Sequence, residues 1–152
     1  MARVRSTSYE TTILVRDSCL CLHVQRAARA LARHFDHALR PLGLTNGQFS
    51  LMMSLNRPAA PTIGAVASLL AMDRTTLTAA LKPLQRRGLV KISSDHNDQR
   101  ARLLALTSQG RKLLARAVPA WTSTHAAVEA RLGSGEPDRL RKNLRTLGTP
   151  LP

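Results

Sequence analysis

Apolar residues in the first third of the chain recur with a helical period. Over residues 17–40 they follow one another at steps of three and four, at Leu20, Val24, Ala27, Leu31, Phe35 and Leu39. This spacing predicts an amphipathic helix, which Pro41 and Gly43 would end. Residues 1–12 lack such a period and are expected to form a flexible arm. We therefore assign residues 13–43 to an N-terminal helical segment.

Three short helices are predicted next, each from its own start signal. Thr45 has Gln48 three residues later, the spacing of a capping box, and an apolar run follows. Thr62 is a suitable N-cap for a second helix. Asp73 is a suitable N-cap for a third helix over residues 74–87. The order of these helices is that of a helix-turn-helix, in which the last helix is the one a DNA major groove can admit.

The period of the apolar residues changes from 3.6 to 2 after Gly88, which suits the position just past a helix end. Residues 89–92 and 101–106 therefore predict two strands, with turn-forming residues over 95–98 between them. A hairpin in this place after a helix-turn-helix is a wing. Residues 44–107 are assigned to this winged module.

The last third of the chain returns to the helical period. Thr107 can cap a long helix in which Pro119 is expected to introduce a kink, and Pro137 suits the first turn of a final helix. Residues 108–152 thus form C-terminal helices. The predicted fold is mainly α with a small β-hairpin wing: a winged helix-turn-helix flanked by N- and C-terminal dimerisation helices. A winged module alone offers no cover for the apolar faces of the flanking helices, so we expect a second copy to cover them.

Charge points to a polyanionic partner. Among the 152 residues, 23 Lys and Arg face 9 Asp and Glu, and the formal net charge is +14. Ten of the cations but only three of the acids lie between Asp73 and Arg116. An aromatic content of 3% argues against folds that stack bases on aromatic residues. No apolar run is long enough to span a bilayer, and no secretory signal is evident; we expect a cytoplasmic, nucleoid-associated protein.

The predicted third helix has two distinct sides. Leu77, Ala80, Leu81 and Leu84 fall on one side, which we expect to pack inward. Thr75, Ala79, Lys82 and Arg86 fall on the other, with Thr78 on the flank. Small groups would let this helix approach base edges, while Lys82 and Arg86 could reach phosphates. Pro83 lies inside the helix and is expected to bend it after the turn that reads the groove.

Four segments in this region resemble the MarR-type regulators. They are Met72-Asp73-Arg74-Thr75-Thr76-Leu77-Thr78, Leu84-Gln85-Arg86-Arg87-Gly88-Leu89-Val90, Asp98-Gln99-Arg100 and Leu106-Thr107-Ser108-Gln109-Gly110. The resemblance extends over roughly residues 17–147. It implies a homodimer that binds a pseudo-palindromic site in double-stranded DNA and regulates transcription, most often as a repressor.

The resemblance also implies roles for particular residues. Arg100 would enter the minor groove from the wing tip, with Asp98 orienting it. Arg74 and Thr76 would join the groove-facing residues of the third helix as DNA contacts. A small aromatic or phenolic effector would release the DNA from a crevice that His37, Phe49 and Met53 are expected to line.

Two alternatives stay open at this point. Cys21 occupies the position of a peroxide-sensing thiol in one branch of the family, so a redox-sensing regulator is conceivable. Gln25 and Phe35, however, replace tyrosines of that branch, and the neighbouring Leu20, Leu22 and Val24 are expected to be core residues. Both observations favour a structural role for Cys21. A sequence-tolerant architectural protein would share the positive charge without preferring a symmetric site. We predict no enzymatic activity and no cofactor, because the sequence shows neither a nucleophile in a strained turn nor a Gly-rich phosphate loop. We also predict no metal site, because the histidines and cysteines of the first helix do not complete a ligand set.

Overall fold

A computed structural model of the chain describes residues 7–95, 98 and 101–149. Within this part the elements are α1 (Tyr9–Ser18), α2 (Leu20–Leu39), a 3₁₀ turn (Arg40–Leu42), α3 (Asn46–Ser54), α4 (Ile63–Leu69), α5 (Arg74–Arg86), β1 (Val90–Ser94), β2 (Arg102–Leu106), α6 (Ser108–Glu129) and α7 (Glu136–Leu147). The predicted class, a mainly helical winged helix-turn-helix with one hairpin, is confirmed. No helix in the described ranges is both long and apolar enough to cross a membrane.

The N-terminal region differs from its prediction in having two helices. Helix α1 begins at Tyr9, inside the segment expected to be an irregular arm, because the Ser8 hydroxyl accepts the Thr11 N–H. Cys19 then adopts an extended backbone, with φ −71° and ψ 105°, and separates the two helices. Its Sγ accepts the Leu22 N–H at 3.5 Å and so caps α2. Cysteine is not a usual capping residue, so the sequence held no clear signal for this break.

The predicted helix starts of the central module are confirmed. Thr45 and Gln48 form both bonds of the capping box. Thr62, Asp73 and Thr107 each accept a backbone N–H from the first turn of the helix that follows. These bonds satisfy N–H groups that the helix itself leaves without acceptors. Helices α5 and α6 each continue through their internal proline.

The two strands form an antiparallel hairpin with Val90 opposite Leu106 and Ser94 opposite Arg102. The hairpin is attached at its base, because Leu104 N donates to the Pro61 carbonyl at 2.9 Å and Thr107 Oγ1 to that of Gly88 at 2.7 Å. Gly88 has φ +66°, a conformation that favours glycine at the end of α5. The wing is therefore held at a defined position beside α4 and α5.

The hydrophobic core lies in the centre of the chain. Every buried apolar side chain of the described residues belongs to the range 39–117, and α1 and α7 contribute none. Leucines of α5 and of the hairpin pack with Phe49 and Met52 of α3 and Leu114 of α6. Helix α2 packs on α6 and α3, which joins the terminal helices to this core.

Candidate nucleic-acid interface

Helix α5 presents opposite sides to the core and to solvent. Leu77, Leu81 and Leu84 are fully buried, and Ala80 is partly buried. The residues proposed for DNA contact on this helix are all exposed: Arg74, Thr75, Thr76, Thr78, Ala79, Lys82 and Arg86. A concave surface runs along this side between Arg74 and Lys82. The division of faces therefore matches the prediction from periodicity, while DNA contact by these residues stays a prediction.

The three threonines of α5 differ in what their hydroxyl groups do. Thr76 Oγ1 donates to Asp73 Oδ2 at 2.5 Å, and Thr78 Oγ1 donates to the Arg74 carbonyl at 2.7 Å. Within the described residues, the Thr75 hydroxyl makes no hydrogen bond. Thr75 is thus the threonine of this face whose hydroxyl is available both to donate to a base or phosphate and to accept from a base.

Asp73 serves the start of α5 rather than its outer surface. Its Oδ1 also accepts the Thr76 N–H at 2.8 Å. The hydrogen bond from the Thr76 hydroxyl, followed by that from the Thr76 N–H, holds the pKa of the Asp73 carboxyl below its usual range. The carboxylate form is therefore favoured, and it also interacts well with the positive end of the helix dipole.

A second concave surface lies where α4, α5 and the wing meet. Its lining includes Thr62, Gly64, Arg74, Asp98 and Arg102. A Cβ at Gly64 would stand 3.2 Å from Nη2 of Arg74, so glycine leaves room for that guanidinium. Sequence reasoning missed Gly64 and Arg102 as parts of this surface. The signal for Arg102 was its place as the first residue of the return strand; nothing local pointed to Gly64.

The wing tip is only partly described. Asp98 is exposed and faces the second concave surface. Arg100, the residue assigned to the minor groove, lies outside the described residues. Its assignment therefore rests on the resemblance of Asp98-Gln99-Arg100 alone.

The residues proposed for an effector crevice lie in different environments. His37 is exposed on α2, and Met53 is 41% exposed. Phe49 is buried, and its ring stacks on Trp121 of α6 with centroids 6.1 Å apart. Trp121 in turn contacts the ring of His125. Phe49 thus joins α3 to α6, a contact between distant segments that the sequence did not indicate.

Both cysteines are free thiols, Cys19 between α1 and α2 and Cys21 in the first turn of α2. Cys21 is exposed, and its Sγ accepts a hydrogen bond from Gln25 Nε2 at 3.2 Å. Its neighbours Leu20 and Val24, expected to be core, are 65% and 40% exposed. Leu22, the third neighbour expected to be core, is half-buried. The apolar surroundings that favoured a structural role for Cys21 are therefore largely open to solvent in the single chain.

Comparisons with known proteins agree with this architecture. The family model described as "MarR family" matches residues 44–101. The M. tuberculosis transcriptional regulator MosR, solved in complex with DNA, is 38% identical, with a TM-score of 0.79 over 86% of this chain and 94% of that one. The transcriptional repressor CouR, solved on a 23-mer DNA duplex, is 29% identical, with a TM-score of 0.79 over 89% and 96%.

A curated relative of similar identity is the regulator TtmR of Methylorubrum extorquens. It is 34% identical over 97 residues, which are 64% of this chain and 50% of TtmR. The chain thus spans about half the length of the first curated relatives it matches. The winged module and its flanking helices are nevertheless common to this chain and the solved regulators. The chain belongs to the MarR family.

Proposed function

We propose that this chain is a homodimeric, DNA-binding transcriptional regulator, acting as a repressor on a pseudo-palindromic site in duplex DNA. The observation that carries the proposal is the exposed face of α5. Thr75 and Ala79 stand outward between Arg74 and Lys82, while leucines hold the helix from behind. Membership of the MarR family and the DNA complexes of the related MosR and CouR support it.

The side chains of this face divide into two roles. Small groups at Thr75 and Ala79 let α5 approach base edges in a major groove about 12 Å wide. Lys82 and Arg86, further along the helix, contact phosphates and set the register without reading sequence. Thr75 is our choice for direct base readout because its hydroxyl is not used within the described part of the protein. The hydroxyl groups of Thr76 and Thr78 already donate hydrogen bonds, to the N-cap Asp73 and to the Arg74 carbonyl, and can therefore only accept a hydrogen bond from DNA.

The wing supplies the second contact with the duplex. Following the family resemblance, Arg100 enters the minor groove and Asp98 orients it. Arg102 and Arg74 line one concave surface beside α4, where two guanidinium groups suit the phosphates between the two grooves. The wing and α5 would thereby clamp one strand of the backbone.

The terminal helices are proposed to form the dimer. Leu140, Leu144 and Leu147 of α7 are between 41% and 56% exposed in the single chain. An apolar groove between α2, α6 and α7 is lined by Leu31, Val128, Leu132 and Leu140, among others. Burial of this surface against a second copy would place two winged modules about one helical turn of DNA apart.

Release of DNA is proposed to follow effector binding beside α3. The candidate residues for contact with a small aromatic or phenolic compound are His37, Phe49 and Met53, and of these Phe49 packs on Trp121. The protein would act as a regulator in the cytoplasm, at the chromosome, and would not catalyse a reaction.

A second candidate is redox regulation through Cys21, and one observation favours it. The Cys21 thiol is exposed, so a hydroperoxide can reach it, and its Sγ accepts a hydrogen bond from the Gln25 amide. Oxidation to the sulfenic acid by a hydroperoxide would place a polar group on an apolar helix face.

Selection of binding sites from random duplexes tests the main proposal. We expect the pool to converge on an inverted repeat, and Thr75→Ala to relax the preference at one position in each half-site. Thr122→Ala, an exposed threonine on α6, is the matched control and should leave the selected sequence unchanged. A pool without sequence preference would instead support the architectural alternative.

Titration of the protein–DNA complex separates the two modes of release. Phenolic acids should dissociate the complex of wild type and Cys21→Ser equally. If a hydroperoxide releases wild type but not Cys21→Ser, the redox candidate gains; release of both proteins by hydroperoxide excludes a sensing role for that thiol.

A further inference from the structure

A row of basic side chains lies outside α5 and the wing, along α2 and at the start of the 3₁₀ turn that follows it. Its members are Arg26, Arg29, Arg33, His37 and Arg40, all exposed. At 100° per residue they occupy roughly 80° of the helix circumference. The apolar stripe of α2, which includes Leu31 and Phe35, lies on the opposite side. We call these five residues the α2 basic row.

Within the described ranges, no carboxylate forms an ion pair with the α2 basic row. The ion pairs among the described residues join carboxylates to Arg16, His125, Arg139 and Arg141. The one acid in α2, Asp36, accepts the Asn46 N–H at 2.6 Å.

Like charges three and four residues apart repel one another and weaken a helix. The row therefore works against the stability of α2 unless an anion lies between its members. Arg26, Arg29 and Arg33 surround a shallow depression with Ala27 and Ala30 in its floor. Small side chains there leave the three guanidinium groups accessible to the oxygens of one bound group.

The row is continuous with the end of the recognition helix. It ends at Arg40, three residues before Gly43, whose carbonyl accepts a hydrogen bond from Arg87 Nη1 at 2.7 Å. Arg87 directly follows α5. From Arg26 to Arg40 the helix rises by about 21 Å, the length of about six base pairs of duplex. A duplex on α5 thus has a charged path leading onto α2.

We propose that Arg26, Arg29 and Arg33 bind phosphates of the DNA backbone outside the bases read by α5. This inference rests on the proposed function, because it needs the duplex to lie on α5. The three arginines add affinity without adding sequence preference, since phosphates are the same along every duplex. They also increase the number of counterions that binding releases.

The test compares a triple variant, Arg26→Gln, Arg29→Gln and Arg33→Gln, with wild type on the selected site. We expect affinity to fall by roughly tenfold or more, with the same ranking of site variants. The slope of log affinity against log salt concentration should become shallower by about 0.9 for each phosphate that the variant no longer binds. The corresponding lysine variant keeps the charges and should keep most of the slope.

The control removes the same number of charges elsewhere. Arg116→Gln, Lys142→Gln and Arg145→Gln change exposed cations that form no ion pair in the described structure. This variant should keep the wild-type slope to within about 0.9, the value of a single phosphate. Equal slopes for the two triple variants would overturn the proposal, since the effect would then be one of net charge.

Inorganic pyrophosphate tests the other source of phosphate. Suppose that pyrophosphate binds the DNA-free wild type and does not bind the triple variant of Arg26, Arg29 and Arg33, while both proteins bind DNA with the same salt slope. The row would then bind a free anion, and the proposal would be wrong. A wild-type protein that selects no inverted repeat would mean failure of the proposed function. If the wild type does select an inverted repeat, but the triple variant keeps the wild-type slope of log affinity against log salt concentration, only this inference fails.

Discussion

The central module and the terminal helices bury their apolar residues in different ways. Within residues 39–117 the leucines of α5 and of the hairpin are buried by the same chain. In α1 and α7 no residue is buried, and most of the exposed large hydrophobic residues of the described chain belong to α1, α2, α6 and α7. The central module completes its core within one copy, whereas the terminal helices leave large apolar side chains exposed in the single chain.

This contrast has a functional consequence. In the proposed dimer, each winged module is carried on helices that pack against the second copy. A change in that packing would alter the spacing of the two modules while each module keeps its own core. An effector that alters helix packing would then control DNA binding while α5 keeps its shape. The following changes separate the two regions, beginning with the largest expected effect.

Charge placed on the apolar side of α7 should abolish the dimer. Leu140→Glu with Leu144→Glu removes two leucines from each subunit of a symmetric interface, and each buried leucine is worth about 1.5–3 kcal/mol. We expect a monomer by sedimentation velocity at concentrations where wild type is a dimer. Lys142→Glu with Thr146→Glu places acids on the opposite side of α7 and should leave the dimer intact. Equal dissociation of both variants would contradict the assigned face.

A side chain at Gly110 should destabilise the central module. Its Cβ would lie 2.1 Å from the Leu89 carbonyl oxygen, so α6 or the wing must shift. We expect Gly110→Ala to lower the free energy of unfolding by about 3 kcal/mol in urea. Gly133→Ala, whose nearest contact is Glu136 Cγ at 3.7 Å, is the matched control. A Gly110→Ala protein as stable as this control would mean that the close approach is not present in solution.

Loss of one hydrogen-bond acceptor where α2 meets α3 should lower the free energy of unfolding. Asp36 in α2 accepts the N–H of Asn46, the first residue of α3, at 2.6 Å. Asp36→Ala leaves that N–H without its acceptor and should cost about 1–3 kcal/mol of unfolding free energy, measured in urea. Asp36→Asn retains an acceptor oxygen and should lose much less. Identical losses would show that this bond contributes little.

The smallest expected effect is a pH dependence at the start of α5. The pKa of Asp73 is below its usual value near 3.8, mainly through the Thr76 hydroxyl. A carboxyl with a lowered folded-state pKa stabilises the fold above its unfolded pKa, and this contribution is lost as pH falls through the folded value. The stability difference between wild type and Asp73→Asn should therefore shrink below about pH 3.8. A difference that is constant with pH would contradict this role.

Periodicity and capping chemistry predicted most of the central module. Thr45, Thr62, Asp73 and Thr107 were identified as helix starts because an N-cap acts on residues two and three positions away. The same local periodicity separated the outer face of α5 from its leucines. It did not detect the break at Cys19, since a thiol is an uncommon helix cap.

By itself, then, the sequence determined the order of the elements, their caps and the side of α5 that faces outward, because each depends on residues within about two turns. Only the tertiary structure decided which distant groups meet: Gly64 beside Arg74, Arg87 on the Gly43 carbonyl and Phe49 on Trp121. These contacts join segments up to 72 residues apart, and their partners are chosen by how helices pack around a shared core. The local sequence pattern therefore does not predict which of these distant residues contact one another.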